Sequence, residues 1–139
     1  MPGLSRSSDG QRLRAQLLPR FALDATLVGG ASAVLAVSGE LDLYEVPKLN
    51  AALETVARAK RIVVDLTGVT FVDSTALAAL LRAHRRLASE DRELVLVAAD
   101  PTIRKLFDVT GFDRLFRIFA SVDEAAGEPV PAGTSPEAA

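Results

Sequence analysis

Cysteine is absent from the 139 residues. Disulfides, thiolate nucleophiles and Cys-ligated metals are thereby excluded, and a reducing compartment is compatible with the chain. Tryptophan is absent too, Tyr44 is the only tyrosine and His84 the only histidine. A Ser-His-Asp hydrolase needs its histidine beside the serine, so any serine not near His84 lacks that chemistry. No run approaches the about 18 consecutive apolar residues of a bilayer-spanning helix. Met1 to Arg20 has no compact apolar stretch of the signal-peptide kind. A charge excess is missing as well: 16 Lys and Arg against 18 Asp and Glu leave −2. That gives no electrostatic case for nucleic acid as a direct partner. Neither a Gly-x-x-x-x-Gly-Lys-Ser/Thr loop nor a Gly-x-Gly-x-x-Gly fingerprint occurs, so no cofactor is expected. The expectation is a soluble cytoplasmic protein that is not an enzyme and meets neither membrane nor nucleic acid directly.

What is present is a globular balance of 49% apolar and 24% charged residues, enough for one domain with a core. Residues 1–19 are rich in Ser, Gly, Gln and Arg without clear period, which reads as a flexible arm with a short amphipathic piece around Leu13 to Leu18. Phe21 to Val28 and Ala33 to Val37 read as strands joined by Gly29-Gly30, a tight-turn signal. Ser38 to Asp42 reads as a turn leaving the second strand. Pro47 suits a first helical turn, with helical spacing through Leu49, Leu53 and Val56 to about Lys60. A strand follows over about 61–66, then a helix from Ser74 to about Ser89, a charged turn from Glu90 to Glu93, and a strand from Leu94 to Ala98. Asp100-Pro101 opens another helix, which Gly111 stops. Leu115 to Phe119 reads as an edge strand. Ser121 with Glu124 is a capping-box pattern for a short last helix. Residues 127–139 hold Pro129, Pro131 and Pro136 and read as a disordered tail. Strands alternating with helices imply parallel pairs with right-handed crossovers. The expected fold is α/β: a single domain over 20–126 with a mixed β-sheet, an opening β-hairpin and about four α-helices.

The stretch from Ile62 to Leu77 organises the rest. Ile62 to Val64 with Leu66 suits a strand buried on both faces, and Thr67-Gly68 breaks the run. Asp73-Ser74-Thr75 then presents capping side chains to the helix through Leu77, Leu80, Leu81 and Leu87. A hydroxyl at such a terminus sits beside unpaired N–H donors that favour an anion, so Ser74 is a candidate phosphate acceptor; the plainer reading is a helix cap. His84 lies roughly 15 Å from Ser74 along that helix at 1.5 Å per residue, too far to serve it, and reads as a boundary packing residue. A metal site would have to be built from carboxylates such as Asp42, Asp65 and Asp73, which converge only if the strand ends cluster. Their plainer readings are caps and backbone acceptors, and no metal is assigned. Arg82, Arg85 and Arg86 form a basic helix face, either solvated or a rim for an acidic partner.

Taken together, four segments resemble the STAS-domain family, and within it the anti-sigma factor antagonists. They are Ser38-Gly39-Glu40-Leu41-Asp42; Ile62 to Leu66 with Phe71-Val72-Asp73-Ser74-Thr75-Ala76-Leu77; Leu94 to Val97; and Val109 to Phe116. The resemblance implies a protein that binds an anti-sigma factor doubling as a serine-protein kinase, is phosphorylated by it at Ser74, and is reactivated by a phosphatase. It implies partner contacts at Gly39, Glu40, Asp42, Asp73, Ser74 and Thr75, and a monomer or weak dimer. A STAS scaffold or ligand-sensing module outside any sigma pathway is the alternative. Ala76 stands where the family motif commonly has Gly. Ala is the better helix former by about 1 kcal/mol, so the fold tolerates it, while its methyl is expected near the presented hydroxyl and bears on kinase efficiency.

Overall fold

A Gly-Gly turn closes the first structural unit of the computed structural model, which describes residues 21–127. Strand β1 (Ala22–Val28) pairs antiparallel with β2 (Ser32–Leu41), Val28 facing Ser32 across the turn. Gly29 takes φ 65° there, a left-handed conformation that glycine adopts without penalty. Helix α1 (Val46–Thr55) carries Pro47 in its first turn. Strand β3 (Arg61–Val72) leads into helix α2 (Ser74–Ser89), and strand β4 (Glu93–Val97) into helix α3 (Pro101–Thr110). A single turn α4 (Phe112–Leu115), the two-residue β5 (Ile118–Phe119) and helix α5 (Val122–Gly127) complete the described chain. The sheet order is β1-β2-β3-β4-β5, antiparallel at the first pair and parallel at the other three. This is the mixed α/β sheet expected. The proposed arm over 1–19, and the tail beyond Gly127, lie outside the described residues.

Ile62, Val63 and Val64 are each 0% exposed because successive residues enter opposite layers. Ile62, Val64 and Leu66 join Leu35, Leu80 and Phe107 under α1–α4, while Val63 joins Val34, Val95 and Ala125 under α5. Arg61 is also fully buried. Its guanidinium pairs with the Glu93 carboxylate and donates to the Ala125 carbonyl oxygen at 2.9 Å, so one side chain ties β3, β4 and α5 together.

Four expectations need correction. Residues 38–41 are the end of β2, not a turn. Thr67-Gly68 does not end β3, which continues to Val72. The two corrections share a cause: β2 and β3 stay paired beyond the expected break by means of two register shifts, each placing one extra residue in β3. In the first, Asp65 Oδ1 accepts from the Thr67 N–H at 3.0 Å and from the Thr67 hydroxyl at 2.5 Å, which satisfies donors that the ladder leaves free. A Cβ at Gly68 would stand 2.8 Å from that of Ser38, so glycine permits the close approach of the strands. At the second shift Gly39 has φ 88°.

The third correction shortens α1, which ends at Thr55 and not near Lys60. Val56 and Ala59 still reach the core from the turn that follows, so their spacing imitated a longer helix. Arg92 donates to the Ala59 carbonyl at 2.8 Å and holds that turn. The fourth replaces the expected strand over 115–119 by α4 and only two residues of β5. Phe112 and Phe116, four apart, stack with centroids 5.3 Å apart, and Phe107 lies 6.1 Å from Phe112. The aromatics were spaced for a helical turn, which Gly111 at φ 80° sets off. Ser121 Oγ accepts the Glu124 N–H at 3.1 Å as the capping box requires, but the Glu124 carboxylate accepts from Ala120.

Candidate functional site

The ends of β2 and β3 put two backbone turns in one place. Leu41 pairs with Val72, and the Asp73 N–H donates to the Leu41 carbonyl at 3.2 Å. The chain then turns at Asp73, whose extended backbone makes it the N-cap of α2. Its two carboxylate oxygens do different work. Oδ1 accepts the Ala76 N–H at 2.9 Å and closes the first helical turn. Oδ2 accepts the Leu43 N–H at 2.9 Å, thirty residues away, and holds the β2–α1 turn against the mouth of α2. Asp42 organises that turn from within: its Oδ1 accepts from the Tyr44 N–H at 3.0 Å and the Glu45 N–H at 3.2 Å.

Ser74 is the first residue of α2 and is exposed, while Thr75 is half-buried behind it. Glu40 is exposed, Asp42 and Asp73 are half-buried, and Gly39 is buried in β2. The structure thus gathers Asp42, Asp73, Ser74 and Thr75 around one surface, with Glu40 beside Phe71 on the next pair of the ladder. Gly39 shapes the strand from below. Asp65 stands apart, turned to Thr67. Among the described residues no group of three or more carboxylate, His or Cys side chains is arranged to hold a metal ion.

Ala76 is 0% exposed and packs in the core with Leu80 and Ala83. Two residues apart on a helix means about 200° of rotation, so its methyl points away from the Ser74 hydroxyl. The expected crowding of that hydroxyl is therefore corrected. His84 packs its ring 4.7 Å from Phe116, at the border of the core as expected, and its Nδ1 is buried without a hydrogen-bond partner. On the basic face, Arg86 pairs with Glu54 of α1 at 2.9 Å, and Arg82 and Arg85 are exposed.

Sequence reasoning missed Leu43 and Tyr44. They are 56% and 80% exposed at the tip of the turn that Asp73 holds. Phe71 on β3 is also 48% exposed. The signal was a pair of large apolar residues directly after Asp42, where no strand or helix period buries them.

The family model for the STAS domain matches residues 22–125. An anti-sigma-B factor antagonist of Listeria monocytogenes is 37% identical over 84 residues, 59% of this chain and 74% of the relative. The crystal structure of an anti-sigma factor antagonist from Mycobacterium paratuberculosis superposes with TM-score 0.67 at 27% identity, covering 78% of this chain and 92% of that one. The Bacillus cell-fate determinant SpoIIAA in its phosphorylated form gives TM-score 0.61 at 25% identity, covering 76% and 97%.

Proposed function

The chain belongs to the STAS-domain family, and from that footing we propose that it is an anti-sigma factor antagonist that works by partner switching. One observation carries the reading. Ser74 is exposed on the first residue of α2, next to the capping carboxylate of Asp73 and the protruding Leu43-Tyr44 turn. Relatives bearing the antagonist name support it. Unphosphorylated, the protein binds an anti-sigma factor that is also a serine-protein kinase and displaces the sigma factor. Contacts come from Glu40, Asp42, Ser74 and Thr75, with Gly39 contributing through the shape of β2 and Asp73 through the backbone it holds. The kinase moves the γ-phosphoryl group of ATP to Ser74 Oγ, whose proton leaves to a base of the kinase, and ADP is released. The phosphate adds about −1.5 to −2 charge at pH 7. A helix N-terminus accommodates that charge, so the fold persists while an already acidic surface gains further negative charge, and the partner is released. A phosphatase restores the binding form. The protein is substrate and binding partner, not catalyst, and acts in the cytoplasm as a monomer or weak dimer.

The test uses the purified chain with the serine-kinase anti-sigma factor of its own regulatory unit and ATP. Mass spectrometry is expected to find phosphate on Ser74 and not on Thr75 or Ser38. Ser74→Ala is expected to stay bound under ATP, and Ser74→Asp to bind weakly without it. Phosphate at another residue, or equal affinity in the acidic variant, sinks the assignment.

A further inference from the structure

We infer that Asp73 is a positioning residue, one that sets the Leu43-Tyr44 turn as the apolar contact for the anti-sigma factor; this rests on the function proposed above. Its Oδ1 is engaged by the Ala76 N–H and its Oδ2 by the Leu43 N–H. Each oxygen is engaged by a backbone donor, so the carboxylate fixes the backbone on both sides of the site. What faces outward is the turn that it anchors. Leu43 and Tyr44 are 56% and 80% exposed, yet their backbone is held from two sides, by Asp73 through Leu43 and by Asp42 through Tyr44 and Glu45. A large apolar side chain on a held backbone loses less conformational entropy on docking than one on a free loop. Tyrosine is among the residues that most often anchor interfaces. The same carboxylate fixes the first turn of α2, so Ser74 and the apolar tip are set relative to each other by one side chain. The occupant is an apolar recess of the anti-sigma factor adjoining its kinase site, because the tip shares its anchor with the residue to be phosphorylated.

The test variant is Asp73→Ser. Serine caps a helix about as well as aspartate, so the Ala76 N–H keeps an acceptor, but the short side chain cannot also reach Leu43. Hydrogen exchange at the Leu43 amide is expected to rise while that at Ala76 is unchanged and the thermal midpoint holds. Affinity for the anti-sigma factor is expected to fall about tenfold, the scale of one lost hydrogen bond to a charged acceptor. The decisive comparison is the same substitution in a Leu43→Ala/Tyr44→Ala background. There Asp73→Ser is expected to cost nothing further, since it acts through the tip that is already gone. An affinity loss of the same size in that background means that Asp73 touches the partner itself, and the inference fails. Unchanged Leu43 exchange, or unchanged affinity in Asp73→Ser alone, also overturns it. Failure of the unaltered protein to bind the anti-sigma factor is a different result: it removes the proposed function and this inference with it.

Discussion

Ser74 shows its hydroxyl because the residues around it are occupied elsewhere: Asp73 caps, Thr75 is half-buried and Ala76 is in the core. Ala76→Gly is therefore expected to cost about 1–2 kcal/mol, from helix propensity and one lost buried methyl. The rate of Ser74 phosphorylation should be unchanged. Urea melts and a kinase time course check both, and a faster time course would show that the methyl does crowd the hydroxyl. Asp42 carries the geometry of a turn-closing acceptor, with two backbone N–H donors on Oδ1. Asp42→Ala is expected to lower stability by about 0.5–2 kcal/mol, together with partner affinity, since the Leu43-Tyr44 turn loosens. A melt identical to that of the unaltered protein would mean that water replaces the carboxylate at no cost. At this scale the sequence was readable where a cap is local: Asp73 and Ala76 are three residues apart. It was silent on the second oxygen of Asp73, because nothing near position 73 announces Leu43.

The elements divide by what holds them. Helix α2 is held by an apolar stripe, and Leu80 is fully buried in it. Leu80→Ala is expected to cost about 2–5 kcal/mol through lost burial and a cavity. Helix α5 is short and held in part by Arg61, whose guanidinium is shared between the Glu93 carboxylate and the Ala125 carbonyl. Arg61→Leu is expected to cost about 3–5 kcal/mol, because it strands the partners of a buried charge. The two variants should differ in kind. In Arg61→Leu, hydrogen exchange should rise first in α5, whereas Leu80→Ala should lower protection throughout the sheet and α2. Uniform loss in both would mean that α5 does not open on its own. Helix α2 was legible from end to end, because its cap and its period agree. Strands β2 and β3 were legible only up to the register shifts. Thr67-Gly68 looks like a terminator in one dimension, yet works as a bulge once Ser38 lies alongside.

Across the whole molecule, the sheet brings the β2–α1 turn and the start of α2 to the same end, and that end holds Ser74. Limited proteolysis is expected to spare the sheet and the helices packed on it; first cuts within 60–90 would contradict a single cooperative unit. The sequence by itself determined the alternation of strands and helices, the buried central strand and the helix that begins at Ser74. Those features follow from period, punctuation and capping, which act over a few residues. Only the tertiary structure decided that β2 and β3 run on together, that Phe112 and Phe116 stack in a helical turn, that Arg61 is buried, and that Asp73 holds Leu43. Each of these depends on a partner distant in sequence or on core geometry. The Asp73–Leu43 bond, spanning thirty residues, exists because parallel pairing of β2 with β3 sets Leu41 beside Val72, which brings the carboxylate of the residue after β3 within reach of the backbone just after β2.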